Sequence, residues 1–163
     1  MKHLFIIVTT VLFLIQCSKT EGPVATDGKV NYPNNYRSWT HAKSMVLQDG
    51  HALFAAFGGI HHIYLNDKAK MAMQKGGTFP DGAVIVFDLL EAKSENSAIT
   101  EGARKVVGVM AKDSKVFSET GGWGFEGFKA DTKERVVTNA KESCFGCHSP
   151  QKDKDYVFST YRE

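Results

Sequence analysis

Apolar and polar positions fall in short blocks along this chain, and the first block stands apart from the rest. Lys2 and His3 precede an uncharged, largely apolar run from Leu4 to Ile15. The run is short for a bilayer-spanning helix and has the length of a signal-peptide core, so residues 1–16 are read as an export signal and set aside from the fold. Cys17 follows. From Glu21 to Asn35 there is no apolar period, and Gly22, Pro23, Gly28 and Pro33 break the chain. Residues 17–35 read as a tether, and the folded domain is expected over 36–163.

Inside the domain the period changes repeatedly. Tyr36 to Val46 suggests a helical turn or two, and Asp49-Gly50 marks a turn. Ala52 to Leu65 reads as a strand interrupted at Gly58-Gly59, where a bulge or the close approach of a flat ligand is expected. Lys68 to Gln74 reads as a short helix carrying Met71 and Met73, ended by Gly76-Gly77. After the Pro80-Asp81-Gly82 turn, Ala83 to Leu90 is the clearest strand, and its β-branched density predicts a central position. Ile85, Phe87 and Leu89 should share one face, with Val84 and Val86 on the other.

A polar stretch from Glu91 to Thr100 separates this strand from a second candidate, Arg104 to Ala111. Ser114 to Glu119 suggests a short helix, Gly121 to Phe128 alternates aromatic with glycine as a strand, and Thr132 to Ala140 suggests a helix leading to the C-terminal motif. Tyr156-Val157-Phe158 closes the fold. Strands punctuated by short helices, without βαβ alternation, predict an α+β fold: a mainly antiparallel sheet with a few flanking helices in one domain.

Composition changes little in this picture. The chain has 163 residues, 42% of them apolar and 23% charged, ordinary for one globular domain with a real core. A net charge of +2 gives no reason to expect nucleic acid as a partner. Eleven phenylalanines would suit a chain that wraps a flat macrocycle, though phenylalanine is also a common core residue.

The chemistry lies in Cys144-Phe145-Gly146-Cys147-His148. Two thiols separated by two residues and followed by histidine are the pattern of c-type haem attachment. On one helical turn the thiols reach the two vinyl groups, and His148 becomes the proximal axial ligand to the iron. A zinc site would need a second ligand pair, and the only other cysteine is the distant Cys17. A redox dithiol should open a helix inside an α/β pattern. One covalent haem c is therefore expected, with Phe145 and Gly146 as spacers of little consequence. No disulfide remains available, despite the oxidising compartment that an export signal implies.

The segment ending Leu14-Ile15-Gln16-Cys17 resembles a bacterial lipoprotein signal, which would make Cys17 the lipid-bearing residue and place the protein in the periplasm, anchored to the membrane only there. The alternative is an ordinary secretory signal with an incidental cysteine.

Taken in order, Tyr36-Arg37-Ser38-Trp39, Ile60-His61-His62-Ile63-Tyr64, Phe79-Pro80-Asp81-Gly82 before a Val/Ile strand, Lys112-Asp113-Ser114 with Phe117, Gly121-Gly122-Trp123 and a late haem motif resemble the cytochrome P-460 family, which includes the cytochromes c′-beta. The resemblance spans nearly the whole mature chain. It implies a homodimer whose subunits each hold one five-coordinate haem. Members that oxidise hydroxylamine cross-link a lysine on the strand after the turn to the haem. The matching position here is Phe87, with Lys75 and Lys93 to either side and off that strand, so the resemblance is closer to the cytochrome c′-beta branch. In the same register His61 matches a distal position and Phe57 offers a second aromatic cap.

An apolar cap over an open iron face implies small neutral gaseous ligands, nitric oxide first and carbon monoxide next. His61 leaves a redox alternative open, as distal acid and base of a peroxidase or as a second iron ligand, against the plainer reading of a strand histidine bonded to a carbonyl. His62 points the other way. An electron carrier would draw an axial methionine from Met45, Met71, Met73 or Met110, otherwise core filler, and would need an electron-transfer partner. Hydroxylamine oxidation is the least favoured reading. Arg104 and Lys112 are candidates for pairing with a haem propionate or for simple solvent exposure.

Overall fold

The computed structural model describes residues 22–162. The export signal and Cys17 lie outside the described residues. Five strands, β1 (Thr40–Leu47), β2 (Gly59–Leu65), β3 (Val84–Glu95), β4 (Ala98–Lys112) and β5 (Trp123–Lys129), form one antiparallel sheet in sequence order. Two helices, α1 (Phe54–Phe57) and α2 (Asp67–Lys75), interrupt the strands. The expected α+β class and the central place of the Val/Ile strand are both observed, since β3 has two strands on either side.

The sheet is covered on both faces, and the period-2 expectation for β3 holds. One face buries Ile63, Leu65, Ile85 and Phe125 with Ala69, Ala72 and Met73 of α2, and Phe87, Met110, Cys144 and Phe145 pack against this cluster. The other face buries Tyr64, Val84, Val86, Val107, Val109 and Phe128 beneath Val30 and Tyr36. Helix α2 starts where Asn66 accepts the Ala69 N–H (3.0 Å), and the same Oδ1 accepts the Val84 N–H, tying the helix start to β3.

Several local expectations are corrected. The segment expected to be helical up to Val46 has one 3-10 turn, Tyr36–Ser38, and then runs as edge strand β1. Its one paired edge and exposed side chains hide the strand period. Within 52–65 the first half is helix α1, not strand. Gly59 (φ 130°) admits the backbone of β3 instead of a ligand, because a Cβ there would lie 2.1 Å from the Leu90 carbonyl oxygen. The polar stretch 91–100 is the far half of a β3–β4 hairpin closed by Asn96 and Ser97, both left-handed as a two-residue hairpin loop requires. It is exposed on both faces, so no alternation marks it. Lys93 consequently lies on β3, beyond the irregularities at Leu89–Ala92.

Ser114–Glu119 forms turns and only one 3-10 turn, Ser118–Thr120, because Asp113 Oδ1 accepts the Lys115 and Val116 N–H groups. Residues 132–139 form a strap along β5 instead of a helix, and only Ala140 is helical. Val136 N–H donates to Gly127 O (2.9 Å) and Lys129 N–H to Glu134 O (2.9 Å), so the open edge of β5 captures a stretch carrying Val136 and Val137. The stretch read as a tether up to Asn35 is docked at its end: Val24 pairs with Val30, and Val30 is 3% exposed on the second face.

Candidate functional site

The C-terminal motif lies on a compact run of turns. Asn139 begins it by accepting the Glu142 N–H on Oδ1 and the Ser143 N–H on its carbonyl. A π-helical turn, Lys141–Phe145, then passes into an α turn, Gly146–His148, and a 3-10 run, Ser149–Lys154. Phe145, read from sequence as a dispensable spacer, anchors this run. Its ring stands 5.2 Å from Tyr156 and 6.3 Å from Phe125, packed on the first face of the sheet. Cys144 is partly buried and Cys147 exposed, and burial pushes the Cys144 thiol up from its ordinary range.

His148 is oriented by one hydrogen bond and two rings. Its Nδ1 lies 2.8 Å from the Tyr156 carbonyl, which can only accept, so Nδ1 carries the proton and Nε2 keeps its lone pair. Phe125 and Phe158 flank the imidazole, each at 5.0 Å. Burial holds its pKa below the ordinary histidine value. A neutral imidazole with one nitrogen tied to a carbonyl and the other free is the form that ligates a metal.

The second cluster is Phe57, His61 and Phe87. In register, Ile63 lies opposite Phe87 and Phe87 opposite Gly108, while His61 lies opposite Leu89. His61 and Phe87 therefore belong to the same face as the haem motif, as the alternation predicts. The Phe87 ring stands edge-on to His61 at 4.7 Å and to Phe57 at 5.9 Å. Gly108 makes room for it, since a Cβ there would sit 3.2 Å from Phe87 Cδ1. Phe57 is 41% exposed at the end of α1, a large ring with little covering it.

His61 is 3% exposed, and its Nε2 lies 2.5 Å from the Phe57 carbonyl. That nitrogen carries the proton, which leaves the buried Nδ1 lone pair without a partner among the described residues. Burial also holds the His61 pKa below its ordinary value.

On the opposite face His62 Nδ1 lies 2.7 Å from Ser44 Oγ. Its Nε2 is 2.8 Å from Glu101, without hydrogen-bond alignment. Arg104 shares that face, gripping fully buried Asp88 at 2.7 Å. Lys112 is buried against Asp155 at 2.7 Å, so neither cation has the solvent-facing or propionate-pairing role considered from sequence. Met73 and Met110 belong to the first cluster, and Met45 and Met71 are exposed. The Tyr156 carbonyl had no sequence signal, because its place follows from the left-handed backbone of Asp155 and Tyr156.

The residues fit a haem. Two free thiols and an imidazole with an available Nε2 lie on adjoining turns beside an apolar sheet face. A zinc centre is less well served, because among the described residues no group of three or more His, Cys, Asp or Glu side chains is placed to hold a metal. The fold and site thus define an antiparallel-sheet haem protein whose binding motif comes last in the chain. Residues 33–159 match the family model described as Cytochrome P460, and the chain belongs to that family. No curated protein matches the chain.

Proposed function

We propose that this is a periplasmic, cytochrome c′-beta-like protein carrying one haem c, bonded through Cys144 and Cys147 and ligated by His148 Nε2, that binds nitric oxide for scavenging, transport or sensing. Held by these residues, the group would supply an iron atom able to take a small ligand. The observation that carries the reading is the Phe57–Phe87 ring pair on the face that holds the motif. These rings offer neither a charge nor a hydrogen-bond donor to a ligand, which favours a neutral diatomic over an anion or water. No nucleophilic nitrogen stands at Phe87, so the lysine cross-link of the hydroxylamine-oxidising members has no counterpart there. Lys93 shares the strand but lies on the exposed half of the hairpin.

Dimer formation and an N-terminal lipid anchor at Cys17 belong to the same proposal and rest on resemblance. Optical and resonance Raman spectra with and without nitric oxide and carbon monoxide test the ligand reading. A five-coordinate high-spin ferrous state that binds both gases is expected, and a low-spin, ligand-inert iron overturns it. Mass spectrometry of the denatured chain should find haem retained, and lost from a Cys144→Ala, Cys147→Ala double variant.

One observation favours a second reading. The Nδ1 lone pair of His61, buried and without a partner among the described residues, would be free to take a proton from a protonated ligand, as a peroxidase requires. Unchanged peroxide turnover in His61→Ala removes it.

A further inference from the structure

We infer that Lys112 and Asp155 are positioning residues for the proximal imidazole, holding the Tyr156 carbonyl that orients His148 and so setting how strongly its Nε2 donates electrons. The inference rests on the reading of His148 as the iron ligand.

Lys112 is the last residue of β4 and is 5% exposed. Its ammonium donates to both Asp155 carboxylate oxygens, at 2.7 and 3.0 Å, and to the Gly121 carbonyl at 2.9 Å. It also stands 5.0 Å from the Trp123 ring centre. A buried ammonium persists only with such complete partners. Asp155 is fastened from two further directions: Oδ2 accepts the Phe79 N–H (2.8 Å), and its own carbonyl accepts Trp123 Nε1–H (2.9 Å).

These contacts hold a backbone conformation that would not persist alone. Asp155 and Tyr156 are consecutive non-glycine residues in the left-handed region, at φ 50° and 65°. Their turn carries the Tyr156 carbonyl onto His148 Nδ1. The Tyr156 ring is seated on Gly121, where a Cβ would lie 2.1 Å from its Cε2. Lys112 therefore grips Tyr156 from both sides, through Asp155 before it and through the residue beneath its ring. A firm acceptor on Nδ1–H raises the basicity of the opposite nitrogen and fixes the ring plane, so a loosened clamp should weaken donation from Nε2 and favour the reduced iron.

The test uses the haem-loaded full chain. Asp155→Asn keeps the side-chain shape, an oxygen acceptor for Phe79 and tolerance of the left-handed region, but removes the charge that holds Lys112. It should lower the frequency of the ferrous iron–histidine stretching band and raise the midpoint potential. By NMR of the carbon monoxide complex, the His148 ring N–H should exchange with solvent about tenfold faster. Lys112→Met should do the same, Lys112→Arg should recover part of the loss, and Tyr156→Phe, which keeps both ring and carbonyl, should change none of the three. Unchanged band, potential and exchange in Asp155→Asn overturn the inference, and that variant decides alone if Lys112→Met does not fold. An unaltered protein without an iron–histidine band refutes the axial assignment itself and the inference with it.

Discussion

Phe87→Ala separates a ligand-capping ring from an ordinary core residue. The change removes the phenyl that touches His61 at 4.7 Å and Phe57 at 5.9 Å and leaves a hollow above Gly108. A fully enclosed Phe→Ala change costs roughly 3–5 kcal/mol, of which each edge-to-face pair accounts for about 0.5–1.5 kcal/mol. Phe87 is only partly buried, so the hollow opens to solvent and about half that cost is expected, roughly 2 kcal/mol. Such a loss lowers the midpoint of thermal unfolding by roughly 5–10 °C in a domain of this size. Stability alone does not identify a cap. The deciding assay is ligand competition by stopped-flow absorbance: with the ring gone, water and anions such as cyanide should reach the iron, and cyanide affinity of the ferric protein should rise about tenfold or more, equivalent to ~1.4 kcal/mol. A variant that loses stability while keeping the ligand preferences of the unaltered protein shows Phe87 to be core packing and refutes the capping argument.

Three further outcomes follow from groups away from the haem motif. Asp88→Ala strips fully buried Asp88 from Arg104, which keeps only its contact with exposed Asp131, at a cost of about 1.5–3 kcal/mol by denaturant unfolding, whereas replacing Asp88 and Arg104 together by Leu and Met should recover most of it. Asn66→Ala removes the acceptor shared by Ala69 and Val84 and the donor to Gly82 O, and should cost about 2 kcal/mol, read as a shifted denaturant midpoint with unchanged slope. His61 is held neutral by burial, with a pKa below its ordinary 6.5. As pH falls through that ordinary value the unfolded chain takes the proton first, so stability falls with pH there, by up to about 1.4 kcal/mol per pH unit. His61→Gln should flatten that limb of the stability profile.

The parts of the fold that were legible in the sequence are those where one face meets the core and the other meets something different. Ile85, Phe87 and Val86 announce β3 and its two faces because each side chain has a fixed neighbour across the sheet. The Cys144-Phe145-Gly146-Cys147-His148 pattern stands out for a different reason, since a spacing of this kind answers to the chemistry of a bound group and not to packing. The hairpin arm 91–100 is exposed on both sides, and the strap 132–139 takes its form from the edge of β5, a partner its own residues do not encode. Phe145 was missed because its packing against Phe125 and Tyr156 is tertiary, and the spacing rule is silent on the residues between the cysteines. Lys112 was misread because a buried lysine looks like any other until Asp155, far along the chain, is seen beside it.

The two faces of the sheet explain why neighbours in sequence have opposite roles. His61 and Phe87 project to the face that carries the C-terminal motif, while His62 and Asp88, one residue on, project to the face where Arg37, Glu101 and Arg104 converge. A slip of β3 by one residue against its neighbours would carry Asp88 onto the face of the C-terminal motif and Phe87 into the ion network. Asp88 is fully buried and held by two bonds from Arg104, so that slip would strand a charge on one face and break a paired network on the other. The ion network on the second face therefore acts as the register lock for the first. The placement of a phenyl ring beside the haem motif depends on a carboxylate that never touches it.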